Sequence, residues 1–192
     1  MKGICFIEPL FSKVVAGQKT QTRRIITQQP DGRGLRSSNV PFEDWHGNEF
    51  KPKYMVGETV YLKEPYLSLN NQEPVLIYKY GEDYSDVEEL SPIKWSNKLF
   101  MPQYAARHFI KITGVRAERL RDISEEDCIK EGITKHKVIR LDRIWYVTVN
   151  EQSGWPTAQK AYAALIDHIN GKGTWDSNPW VWVYDFEKSY GF

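Results

Sequence analysis

Gly17-Gln18-Lys19-Thr20-Gln21-Thr22-Arg23-Arg24 places one amine, two hydroxyls and two guanidiniums directly after a helix-stopping glycine. The segment before it, Pro9 to Ala16, carries Leu10, Phe11, Val14 and Val15 at the i, i+3, i+4 spacing of a short amphipathic helix, and Gly17 suits the position just past its end. The polar run therefore emerges from a helix end. The run itself reads as a site, expected to line the largest polar pocket. Taken alone it also fits an exposed edge strand whose alternating polar side chains simply solvate the sheet edge.

Working outward, Met1 to Pro9 reads as a first strand, since Glu8 and Pro9 close its apolar stretch too early for a signal-peptide core. Thr27 to Asn39, around Pro30-Asp31-Gly32, is loop chemistry. Strands are predicted at Thr59 to Leu62, Val75 to Tyr80 and His108 to Thr113, with Gly114 bending the chain. Ser124 and Asp127 form a capping pair for a helix over 125–131, which makes Glu131 its last residue before Gly132. A second helix runs from Pro156 to Asn170, with Tyr162, Leu165, Ile166 and Ile169 as one apolar stripe. Trp180 to Phe186 is almost continuously apolar, the pattern of a strand buried on both faces. Short strands and helices without βαβ alternation predict an α+β fold, a small mixed β-barrel with short helices covering its openings.

At 192 residues the chain can bury a real core as one domain, 1–192. The negative mean hydropathy and 27% charged residues argue against a membrane protein. Cys5 and Cys128 are too few for a disulfide framework and lack C-x-x-C spacing, so reduced thiols in a cytoplasmic protein are expected, with Cys128 in the core. The four histidines show no zinc-ligand spacing, and neither metal nor cofactor is expected. The net charge of +1 conceals a pattern: seven Lys/Arg against two acids from Met1 to Val40, six against one from Lys98 to Arg121, and five acids without a base from Gly81 to Pro92. Converging in space, the two basic segments would attract a nucleotide or short RNA; apart, they are solvated loops.

Gly-x-Lys-Thr-x-Thr-Arg resembles the signature of the ASCH superfamily, small PUA-like domains associated with RNA and nucleoside chemistry. The resemblance continues through Val56-Gly57-Glu58-Thr59-Val60-Tyr61-Leu62-Lys63-Glu64, Met101-Pro102-Gln103-Tyr104-Ala105-Ala106-Arg107, Ile123 to Ile133 and Trp175 to Val183, in the order of the longer, phage-type members. It implies a PUA-like barrel. Within the group, the small bacterial N4-acetylcytidine amidohydrolases are similar in their Lys-Thr-x-Thr run. That similarity implies a catalytic lysine and threonine at Lys19 and Thr22, and registering the helix after Ile123-Ser124-Glu125 implies the catalytic glutamate at Glu131. Relative to those compact enzymes this chain carries loop insertions near 27–50, 70–97 and 135–150.

Amide hydrolysis needs a nucleophile, a base to take its proton and a donor for the departing amine, roles open to Thr22, Lys19 and Glu131. Burial or the charges of Arg23 and Arg24 would have to lower the lysine pKa, and a helix C-terminus would raise that of Glu131. In a strict strand, positions 19 and 22 point to opposite faces. The site therefore requires Lys19 to sit on the helical exit turn. Thr20, Arg23 and Arg24 are candidates for substrate or RNA contact, and Tyr66, Trp95 and Trp145 could stack on a base. A non-catalytic RNA-binding module, in which Lys19, Arg23 and Arg24 hold phosphates, is the alternative reading. Ribonuclease activity, suggested within the superfamily, ranks third, since no His pair or acid cluster marks a nuclease site. The expected partner is RNA or a modified nucleoside; oligomeric state is not legible.

Overall fold

The computed structural model describes residues 1–31, 33–36, 42–68, 76–80, 94–138, 143–149 and 154–190. In chain order the elements are β1 (Gly3–Cys5), α1 (Glu8–Val15), β2 (Gln21–Ile25), β3 (Phe42–Glu43), β4 (Glu49–Phe50), β5 (Thr59–Lys63), β6 (Tyr66–Ser68) and β7 (Leu76–Tyr78). They continue as β8 (Phe109–Arg119), α2 (Glu125–Lys130), β9 (Thr134–Val138), β10 (Arg143–Val147), α3 (Ala158–Asn170), α4 (Thr174–Ser177) and β11 (Trp180–Ser189).

The apolar run at Trp180 forms the spine of the molecule. β11 is antiparallel to β8 on one side and to β2 on the other, in a sheet ordered β1-β5-β8-β11-β2. Val181 to Tyr184 are buried consecutively, so both faces of this strand are covered. The bend expected at Gly114 is a bulge inside one long strand: Asp185 pairs with Gly114 but Phe186 pairs with Ile112, leaving Thr113 as the extra residue. β8 therefore continues to Arg119, six residues beyond the predicted strand end.

Among the described residues no ladder joins the edge strands β1 and β2, so the architecture is a mixed α+β fold around an open five-stranded sheet. The two edges still face each other. The Arg24 guanidinium donates to the carbonyl of Cys5 across the seam at 2.6 Å.

Each helix end has a local cause. Gly17 adopts φ +72°, which lets the chain turn sharply after α1. α3 begins two residues later than expected because the Thr157 hydroxyl, not Pro156, organises its first turn by accepting from the Lys160 N–H at 3.2 Å. In α2 the Ser124 hydroxyl accepts from the Asp127 N–H at 3.0 Å, and Glu131 is the residue that closes the helix just outside it. Ser124→Ala is expected to cost about 1 kcal/mol in urea unfolding, the usual worth of such a cap; an unchanged midpoint would show that tertiary packing alone holds α2.

Leu10, Phe11 and Val14 from α1, Val60 and Leu62 from β5, Ile110 and Ile112 from β8 and Tyr162 and Leu165 from α3 share one core with Cys128. Burial pushes the Cys128 thiol up to about 12. Three small antiparallel ribbons lie outside the main sheet, β3 with β4, β6 with β7 and β9 with β10. The acidic stretch 81–92 lies outside the described residues.

Candidate functional site

Lys19 lies in the turn between α1 and β2. The N–H groups of Gln18 and Lys19 both donate to the Lys13 carbonyl, at 2.8 and 3.1 Å, and strand pairing starts only at Gln21. The chain thus rotates before the strand begins. This lets Lys19 and Thr22 line the same cavity, of about 230 Å³, together with Glu131.

The end of α2 explains why these residues meet. Its last carbonyls lack helical donors, and the Lys19-Thr20 turn supplies them: Thr20 N–H donates to the Lys130 carbonyl at 2.9 Å, and Lys19 Nζ donates to the Glu131 carbonyl at 2.8 Å. Nζ also donates to the Gln21 carbonyl at 2.7 Å and to Glu131 Oε2 at 2.5 Å, which uses all three ammonium hydrogens. Both side chains are buried, Lys19 to 1% and Glu131 to 4% residual exposure. Burial lowers the Lys19 pKa, with the Glu131 carboxylate pulling the other way. Thr22 is buried too, and its hydroxyl makes no side-chain hydrogen bond among the described residues.

Arg23 is turned inward. Its side chain is fully buried and donates to Glu118 Oε1 at 3.0 Å through Nε, to Asp127 Oδ2 at 2.9 Å, to Glu131 Oε1 at 3.3 Å and to Gln21 Oε1. Burial disfavours its charge, but Glu131 and Glu118 outweigh that and hold the guanidinium pKa above its ordinary value. Arg116 joins the same network through Asp127 and Asp185, each at 2.7 Å. The two basic segments of the sequence therefore do meet here, but around carboxylates that neutralise them.

Arg24 differs. Apart from the Cys5 carbonyl, its guanidinium lies 5.2 Å from the Phe6 ring centroid, and no carboxylate pairs with it among the described residues. Facing these polar groups is an apolar wall of Phe6, Leu10 and the whole predicted stripe of α3, Tyr162, Leu165, Ile166 and Ile169. Thr20 contributes its backbone to the surrounding hydrogen bonds, and its side chain does not line the cavity. Tyr66 pairs with Tyr78 and bridges to Ser96, and neither it, Trp95 nor Trp145 lines the cavity.

A second, larger cavity of about 700 Å³ follows the seam between β1 and β2. The Lys19-to-Arg24 run reaches it only through Arg24, so the run lines the smaller of the two spaces rather than the largest. Glu64 and Arg107, from two of the blocks that resemble the ASCH pattern, meet elsewhere in a bidentate pair at 2.9 and 3.0 Å, with Glu64 fully buried. Sequence reasoning missed Glu118, Asp185, Gln21 and Tyr162 and read Asp127 only as a cap residue. The alternations Gln21-x-Arg23 and Arg116-x-Glu118 were the available signal, but they lie 95 residues apart.

Among the described residues no group of three His, Cys, Asp or Glu side chains is placed to hold a metal ion. No described helix is long and apolar enough to cross a membrane. Compared with known proteins, the chain matches no family model, no curated protein and no solved structure.

Proposed function

We propose that the chain is a PUA-like protein of the ASCH type whose small cavity hydrolyses the acetyl amide of an N4-acetylcytidine-type nucleoside. In this reading the open seam between β1 and β2 is the mouth of the barrel. The observation that carries it is the buried contact of Lys19 Nζ with Glu131 Oε2, 2.5 Å apart in the wall that also holds Thr22. At about 230 Å³, the space is smaller than the ~300–1,000 Å³ typical of drug-sized ligands and suits a single base.

Thr22 Oγ1 adds to the acetyl carbonyl carbon, and its proton passes to Lys19. Lys19 can accept it only as a neutral amine, which requires that the proton facing Glu131 cross to Oε2 and that the freed lone pair turn from Oε2 toward Thr22; burial lowers the Lys19 pKa and so favours the neutral amine. Collapse of the tetrahedral intermediate breaks the C–N4 bond, N4 takes up the proton, and cytidine leaves. Water then adds to the acetyl ester on Thr22, releasing acetate and restoring the hydroxyl. A role confined to RNA binding would draw on Lys19, Arg23 and Arg24 as free cations, of which the first two are committed to internal carboxylates and only Arg24 has no carboxylate partner among the described residues.

The test is direct: purified chain is incubated with N4-acetylcytidine, and acetate and cytidine are followed together. Equal amounts of both products are expected. Their absence would remove the hydrolytic reading.

A further inference from the structure

The 700 Å³ cavity is walled by Gly3 to Cys5 on one side and Arg24 to Thr27 on the other, with Tyr54, Trp182 and Tyr184 also lining it. Its lining carries Arg24, Lys51, Lys53 and Lys63 against a single acid, Glu49. Lys51 is paired with Glu49 at 2.9 Å. Arg24, Lys53 and Lys63 have no carboxylate partner among the described residues: Lys63 Nζ donates to the Leu99 carbonyl at 2.7 Å, and Lys53 Nζ lies 5.3 Å from the Tyr54 ring centroid. Each retains donors for another acceptor, because one carbonyl uses one of the five N–H bonds of a guanidinium or the three of an ammonium. Three cations without counter-charges around a concave space focus positive potential into it.

This charged space continues from the candidate site. Both cavities include Cys5, Arg24 and Ile25 in their linings, so a ligand with its base near Thr22 passes Arg24 to reach Lys53 and Lys63. We infer that the seam is a phosphate subsite and that the ligand is a nucleoside monophosphate rather than a free nucleoside, its phosphate held between Arg24, Lys53 and Lys63. The placement of the base rests on the proposed function; the preference of the seam for phosphate does not.

Binding to the full chain carrying Thr22→Ala, which removes turnover, is measured by calorimetry with cytidine, cytidine 5′-monophosphate, inorganic phosphate and a five-residue oligocytidylate. The monophosphate is expected to bind about tenfold or more tightly than cytidine, the increment of one good charge-assisted contact, with an advantage that shrinks as salt is raised. Adding Lys53→Ala and Lys63→Ala, with Arg24 retained, should cut that advantage severalfold while cytidine, which carries no phosphate, binds as before, and inorganic phosphate should bind weakly with the same lysine dependence. Equal binding of cytidine and its monophosphate overturns the inference, as does an advantage undiminished by both substitutions. An oligonucleotide that binds a further tenfold tighter than the monophosphate overturns it in favour of a polynucleotide. Lysine-dependent phosphate binding by a chain that releases no acetate from N4-acetylcytidine or its monophosphate would uphold the subsite and refute the hydrolytic reading alone.

Discussion

Thr22→Ala is expected to lower acetate release from N4-acetylcytidine by roughly 10⁴-fold or more, the scale seen when a nucleophile is removed from a catalytic unit. Its fold should persist, with stability within about 1 kcal/mol of the parent, because the hydroxyl makes no side-chain hydrogen bond among the described residues. Glu131→Gln keeps the size of the side chain and an acceptor for Lys19 but cannot take a proton; it should lose about 10²- to 10⁴-fold. The combination discriminates. A Thr22→Ala chain that retains activity within tenfold while Glu131→Gln is inactive would mean that water, not Thr22, attacks the amide. Trapping an acetylated Thr22 by mass spectrometry after rapid acid quench would identify the covalent step directly.

Arg23→Met is expected to cost about 3–5 kcal/mol at neutral pH, the range for deleting one member of a buried ion network and leaving its partners uncompensated. Glu118, Asp127 and Glu131 all converge on this guanidinium, whose side chain has no solvent exposure. The effect carries a pH signature. Burial raises the Asp127 pKa, but hydrogen bonds from Arg23 and Gln21 and the charges of Arg23 and Arg116 outweigh it and hold the carboxyl below the usual range. A depressed folded value means that this stabilisation is present above the unfolded value of about 3.9 and is lost as pH falls through the folded one. The gap between parent and Arg23→Met should therefore narrow below about pH 4. Urea unfolding of both chains at pH 7 and pH 3 measures it; a gap that is the same at both would assign the loss to packing instead of charge.

The legible parts of the fold were those with strong local patterns. The spacing of Leu10, Phe11 and Val14 and the glycine after them describe α1, and the run at Trp180 describes a strand buried on both faces. Where reading and structure diverge, a neighbour decides the outcome. Gly114 bends β8 without ending it because β11 continues to pair on both sides of the bulge. The α3 stripe of Tyr162, Leu165, Ile166 and Ile169 reads as core, yet it also walls the small cavity, and Ile169 keeps 38% exposure there. Periodicity shows that a face is apolar, not whether protein or ligand will cover it.

The sequence by itself determined the helix that ends at Gly17, the polar run that leaves it and the short helix that ends beside Glu131, because each depends on residues within a few positions of one another. Only the tertiary structure decided what the charges do. Strand register places Arg23 and Arg116 opposite the same residue, Val183, on the two sides of β11, and brings Gln21 and Gly114 opposite Asp185. Arg23 and Arg24 are adjacent in sequence and chemically alike. Alternation along β2 sends the first into a carboxylate network and leaves the second at the open seam, free of any carboxylate among the described residues, since successive side chains of a strand face opposite ways.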